Sequence, residues 1–115
     1  VIRIHSWGGS KDKNAIDSIG NAVFLEHFDS SGNTCGMTCY YHLREAPTAL
    51  ISENQIVEEG TQIGYVGNTG YVVASTGDGS HLHFEVKTGS SFNNSTLATL
   101  YHSGTWVNPL SYINQ

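Results

Sequence analysis

The 115 residues suffice for one compact domain, and 38% hydrophobic with 10% aromatic residues can build a modest core, which argues against disorder. Only 13% of residues are charged, ten acidic against five basic, and the net charge of −5 excludes electrostatic capture of nucleic acid or of an anionic membrane surface. Apolar runs are a few residues long, too short for a membrane-spanning helix, and thirteen glycines favour a turn-rich, all-β chain with a small twisted antiparallel sheet over a helix bundle.

The chain opens on Val1-Ile2-Arg3-Ile4-His5, alternating apolar and polar as a strand does. It carries no initiator Met and no basic-then-apolar leader, so a processed product or a fragment of a single domain is expected. Residues 6–20 are polar and read as an exposed loop. Residues 21–28 (NAVFLEHF) read as a strand, 29–33 as a turn, and 38–43 (TCYYHL) as the return strand of a hairpin. Residues 44–52, with Pro47, read as a loop with room for one helical turn. In 56–67, Glu58-Glu59-Gly60 reads as a turn between two short β pieces, with Gly64 and Gly67 marking a bend or a close backbone approach. Residues 70–80 form a glycine-rich loop. Residues 81–87 (HLHFEVK) make a clean alternating strand, 88–106 look like a polar insertion around an apolar patch at 97–101, and 107–113 close the chain.

His81-Leu82-His83 is the sharpest local feature. On a strand, i and i+2 share a face, so two imidazoles stand side by side about 7 Å apart at Cα, with Leu82 and Phe84 facing the opposite side toward a core. Such a pair can hold one metal ion, or one ring can ligate while the other works on a water. His42, on the preceding hairpin, joins the same face if the two strands are neighbours. Glu85, two residues past His83, either fixes the tautomer of an imidazole or sits in solvent. His27, His5 and His102 take structural or surface roles. Cys35 and Cys39 are four apart, which in an extended strand is too far for a bridge; Gly36 leaves a bent, bridged alternative open in an oxidising compartment.

Tyr41-His42-Leu43, Val57-Glu58-Glu59-Gly60-Thr61-Gln62-Ile63-Gly64, Gly67-Asn68-Thr69-Gly70 and Ser80-His81-Leu82-His83-Phe84-Glu85-Val86 occur in an order that resembles the lysostaphin-type zinc metallopeptidases, which cut peptides of bacterial peptidoglycan. Asn21-Ala22-Val23 and Val107-Asn108-Pro109-Leu110 extend the resemblance over nearly the whole chain. It implies an all-β, β-sandwich-like domain (a barrel-sandwich hybrid) with long loops, acting on peptidoglycan peptides as a secreted or cell-envelope protein of a bacterium. It also implies that His83 is a Zn2+ ligand and that His42 and His81 are catalytic, handling the attacking water or the oxyanion.

One departure stands out. That family takes its other two zinc ligands from a His-x-x-x-Asp motif, and none occurs in this sequence. By the resemblance, the motif precedes the strand that residues 1–4 match, so it is expected upstream of Val1. The alternatives are a degenerate copy of the fold that binds peptidoglycan or regulates a cell-wall hydrolase, or a replacement ligand set from His5 with Asp12 or Asp17. A chain lacking those ligands is expected to bind zinc weakly and to be inactive alone. The stretch 57–64 also resembles the turns of biotinyl and lipoyl carrier domains, but Lys11, Lys13 and Lys87 stand in no matching turn.

Overall fold

The computed structural model describes residues 1–74 and 77–112, and in them five strands form one antiparallel sheet in which every strand pairs with its sequence neighbour. The strands are β1 (Arg3–His5), β2 (Asn21–Phe28), β3 (Thr34–Leu43), β4 (His83–Thr88) and β5 (Thr105–Val107), with one short helix, α1 (Leu97–Tyr101). The all-β expectation therefore holds, with long loops between β1 and β2 and between β3 and β4.

Period-two alternation divides the hydrophobic residues between two faces. One face carries Ala22 and Phe24 from β2 with Met37, Cys39 and Tyr41 from β3, and is covered by Ile19 and by Leu100 of α1. The other carries Val23 of β2 and Leu43 of β3 under Ile51, with Leu25, Tyr40, Val57 and Ile63 packed at its margin. Cys35 and Cys39 are free thiols, one exposed and one buried on the same strand, as an extended spacing of four dictates.

Several elements differ from the sequence reading. The loop at 6–20 is not wholly exposed. It ends in a 3-10 turn at Ile16–Ile19, and Ile19 is buried in the core, an apolar anchor hidden in a polar run. Strand β3 starts at Thr34 because a bulge at Cys35 absorbs the turn-like composition: His27 pairs with Gly36, and Phe28 with Thr34. Residues 56–65 form no strand. The expected turn is present (Thr61 N–H donates to the Glu58 carbonyl at 3.1 Å), but pairing is limited to single bridges at Leu43–Val66 and Gly67–His81. Close backbone approach is the cause. A Cβ on Gly67 would lie 2.4 Å from the Arg44 Cα, so this segment is laid against the chain beyond β3 rather than paired along it.

The polar stretch 88–106 is structured and reaches the core. It supplies α1, whose Leu100 is fully buried, and β5. Leu82, expected in the core, is 45% exposed, because it sits where the chain changes partner from β3 (Tyr41–His83) to Gly67 (Gly67–His81). Of the closing segment 107–113, Ile113 lies outside the described residues.

Candidate active site

Strict alternation puts Tyr41, not His42, on the face of His83. Tyr41 pairs directly with His83 across the β3–β4 ladder, and their rings are 5.1 Å apart. His42 reaches the same face through a second bulge. Asn21 pairs with Leu43 and Val23 with Tyr40, so two residues of β3, Tyr41 and His42, oppose Ala22 alone. The extra residue takes a left-handed backbone, His42 φ 61°, which is unusual for a residue with a side chain. The bulge restores Leu43 to the opposite core and turns His42 back toward β4, with its ring 5.2 Å from that of His81 and 5.6 Å from that of His83.

The proton on each imidazole is fixed by its partner. His42 Nδ1 lies 2.7 Å from the Thr69 carbonyl, and His81 Nδ1 lies 2.7 Å from the Gly79 carbonyl. A carbonyl only accepts, so both Nδ1 atoms carry hydrogen and both Nε2 atoms keep a free lone pair. His83 is set the other way. Its Nε2 donates to Glu85 Oε2 at 3.1 Å, which frees Nδ1. One nitrogen from each of the three rings lies within 4.8 Å of the others, and no other group of three metal-binding side chains meets that test among the described residues.

The surroundings hold these states. Burial lowers the His42 pKa, and the neighbouring His83 and His81 lower it further against the opposing pull of the Thr69 carbonyl, so the ring stays neutral near pH 7. Glu85 is half-buried, which alone would raise its carboxyl. Hydrogen bonds from His83 and from the Trp106 indole (3.1 Å) outweigh that, and the carboxyl lies below its ordinary range. The rings open on a groove of about 380 Å³ walled by Tyr71, Val72, Ile19 and Tyr101, with Tyr41 as part of its floor. The Tyr41 hydroxyl is buried without a hydrogen-bond partner among the described residues.

The remaining candidates lie apart from this cluster. His5 Nε2 pairs with Asp17 Oδ1 at 2.6 Å, and Asp17 also accepts the Gly8 N–H at 3.0 Å, so this pair ties the 6–20 loop to β1. Asp12 caps a local turn at Asn14, His27 bonds the Thr38 hydroxyl, and His102 ends α1.

Sequence reasoning assigned no role to Thr69, although it stands in the quoted Gly67-Asn68-Thr69-Gly70 run. Its hydroxyl donates to the Leu43 carbonyl (2.6 Å) and accepts the Asn21 N–H (3.0 Å), while its carbonyl holds His42. Trp106 carried no signal beyond being an aromatic near the end of the chain. His83, an imidazole paired with the Glu85 carboxylate through Nε2 and left with Nδ1 free, beside two more imidazoles, has the chemistry that suits a zinc ligand.

Comparison with curated proteins and with solved structures gives no match. Comparison with protein families does: residues 9–97, which span β2, β3 and β4 with all three histidines, match Peptidase family M23. The match covers well over half of the sequence, and the chain belongs to Peptidase family M23, the lysostaphin-type peptidases.

Proposed function

We propose that this domain serves a zinc-dependent endopeptidase that hydrolyses peptide bonds of bacterial peptidoglycan, in the cell envelope or as a secreted protein. Family membership supports the peptidase class. The observation that carries the finer reading is the convergence of three imidazoles in one open groove, with a nitrogen of each within 4.8 Å of the others and one nitrogen of each ring already held by a hydrogen-bond partner.

His83 Nδ1 is the nitrogen that would hold zinc, with the Glu85 carboxylate raising its basicity through Nε2–H. When bound, zinc supplies Lewis-acid polarisation of a scissile carbonyl and brings the pKa of a water to about 7. His42 and His81 act on protons. Each offers an unprotonated Nε2 to the groove; one of them takes one proton from the attacking water and returns it to the leaving amine. Once protonated, either ring also donates to the oxyanion of the tetrahedral intermediate.

The test is digestion of purified peptidoglycan with mass spectrometry of the released peptides, using the 115-residue chain and any longer product of the same coding sequence. A chain that carries a His-x-x-x-Asp pair in addition to these residues is expected to bind one zinc and to cleave. His83→Ala should lose both metal and turnover, while His42→Ala and His81→Ala should keep the metal and lose turnover. Zinc retained in His83→Ala would overturn the assignment. The absence of His-x-x-x-Asp from this sequence favours one second reading, a peptidoglycan-binding domain without turnover. That reading predicts co-sedimentation with peptidoglycan, and neither zinc nor cleavage in the longest product.

A further inference from the structure

Trp106 lies outside the residues matched by the family and is 45% exposed, yet it reaches into the site. The β4–β5 register makes it the direct cross-strand partner of Lys87, and Glu85 sits two residues before Lys87 on the same face. Lys87 is fully buried. Its ammonium donates to the carbonyls of Tyr101 and Ser103 at the end of α1, and lies 4.1 Å from the centre of the indole ring. The Tyr101 ring, 5.5 Å away between ring centres and steeply inclined to the indole, closes another side. The indole is thus held by a cation and a ring.

Its Nε1–H donates to Glu85 Oε1 at 3.1 Å, while Glu85 Oε2 accepts His83 Nε2–H at 3.1 Å. A carboxylate bound through one oxygen can swing about its side-chain torsions. Bound through both oxygens to donors on different strands, it has one plane and one direction.

We infer that Trp106 is a positioning residue for His83: seated on Lys87, it pins the Glu85 carboxylate, and so fixes the tautomer and aim of the His83 ring. The part of this that concerns metal rests on the reading of His83 as the zinc-holding residue. The part that concerns the ring itself does not.

The experiment is a long-range 1H–15N correlation spectrum of the metal-free 115-residue chain at pH 8, which reads each histidine's tautomer separately. Two variants remove the N–H and keep an aromatic ring over Lys87: Trp106→Phe, and benzothienylalanine at position 106, which replaces the N–H by sulfur in the same ring shape. The second keeps the test valid if the first packs poorly.

In the unaltered chain, His83 should be almost wholly the Nε2–H tautomer. In both variants the His83 tautomer ratio should fall by about 3- to 10-fold, the weight of one hydrogen bond, with His42 and His81 unmoved. An unchanged His83 ratio in the sulfur variant overturns the inference and leaves Trp106 as packing. Equal shifts at all three histidines also overturn it, since they report general loosening. Zinc titration of His83→Ala, run alongside, bears only on the ligand assignment, so the two failures are told apart.

Discussion

The left-handed backbone of His42 makes an unusual stability prediction. An L-residue at φ 61° carries about 1–2 kcal/mol of steric cost that glycine does not. In a regular strand the order is reversed, and glycine is the worse residue by about 0.5–1 kcal/mol. His42→Ala and His42→Gly both lose the Nδ1–H bond to Thr69, worth about 0.5–1.5 kcal/mol, and the packing of a ring that is only 7% exposed. These losses cancel between the two variants, which leaves the backbone term. His42→Gly should therefore be the more stable variant, by about 1 kcal/mol. With a urea m-value of about 1–2 kcal/mol/M, that is a midpoint difference of about 0.5–1 M, readable by circular dichroism at pH 7.5. Both variants lack the Nε2 lone pair and should be equally devoid of hydrolysis in a chain that otherwise cleaves. A glycine variant no more stable than the alanine one would refute the bulge geometry, and with it the account of how His42 reaches the face of His83.

Thr69→Val removes a hydroxyl that serves both the Leu43 carbonyl and the Asn21 N–H while keeping its shape; it should lower stability by about 1–3 kcal/mol in urea melts, and a loss under 0.5 kcal/mol would count against the hub. Tyr41→Phe deletes a buried hydroxyl without a partner among the described residues, so stability should be unchanged or rise by up to about 1 kcal/mol; a clear loss would reveal a partner for it. Burial lowers the folded-state pKa of His42, and also of His27, where the N-terminal charge adds to it. The unfolded chain then binds protons first as pH falls through about 6.5, so stability is full above that value and declines on acidification toward the folded pKa values. The urea midpoint should drop between pH 7.5 and pH 5.5, and His42→Gln should shrink the drop; an unchanged difference would locate the proton uptake elsewhere.

What could be read from the chain was what repeats with period two. NAVFLEHF is β2 residue for residue, and the alternation in HLHFEVK places His83 and Glu85 on one side; the strand itself starts only at His83, and His81 joins them from the single bridge to Gly67 that precedes it. A bulge adds one residue without altering composition, so nothing in Tyr40-Tyr41-His42-Leu43 announces that two successive residues will share a face. Neighbouring strands were the stated condition for His42 to join the pair. The structure meets it, and adds the bulge that the condition left out. Contacts between distant segments were equally silent. Leu100 seals a core from within a polar stretch, and Trp106 meets Glu85 only because β5 pairs with β4. The glycines at 64 and 67 did signal close approach. What they could not say is that the neighbour is the end of β3, and that the approach displaces a strand there.

Thr69 gives the site a condition for readiness. The loop that carries it is docked without slack: Tyr71 N–H donates to the Ser18 carbonyl at 2.8 Å, and a Cβ on Gly70 would lie 2.3 Å from that same oxygen. While the loop is seated, the carbonyl at 69 selects one of two proton isomers on His42. When it lifts, that selection ends, although the sheet and the ring remain. If His42 transfers protons as proposed, its competence follows the seating of this loop, and the exchange rates of the Asn21 and Tyr71 amide hydrogens would report how often the loop opens without global unfolding.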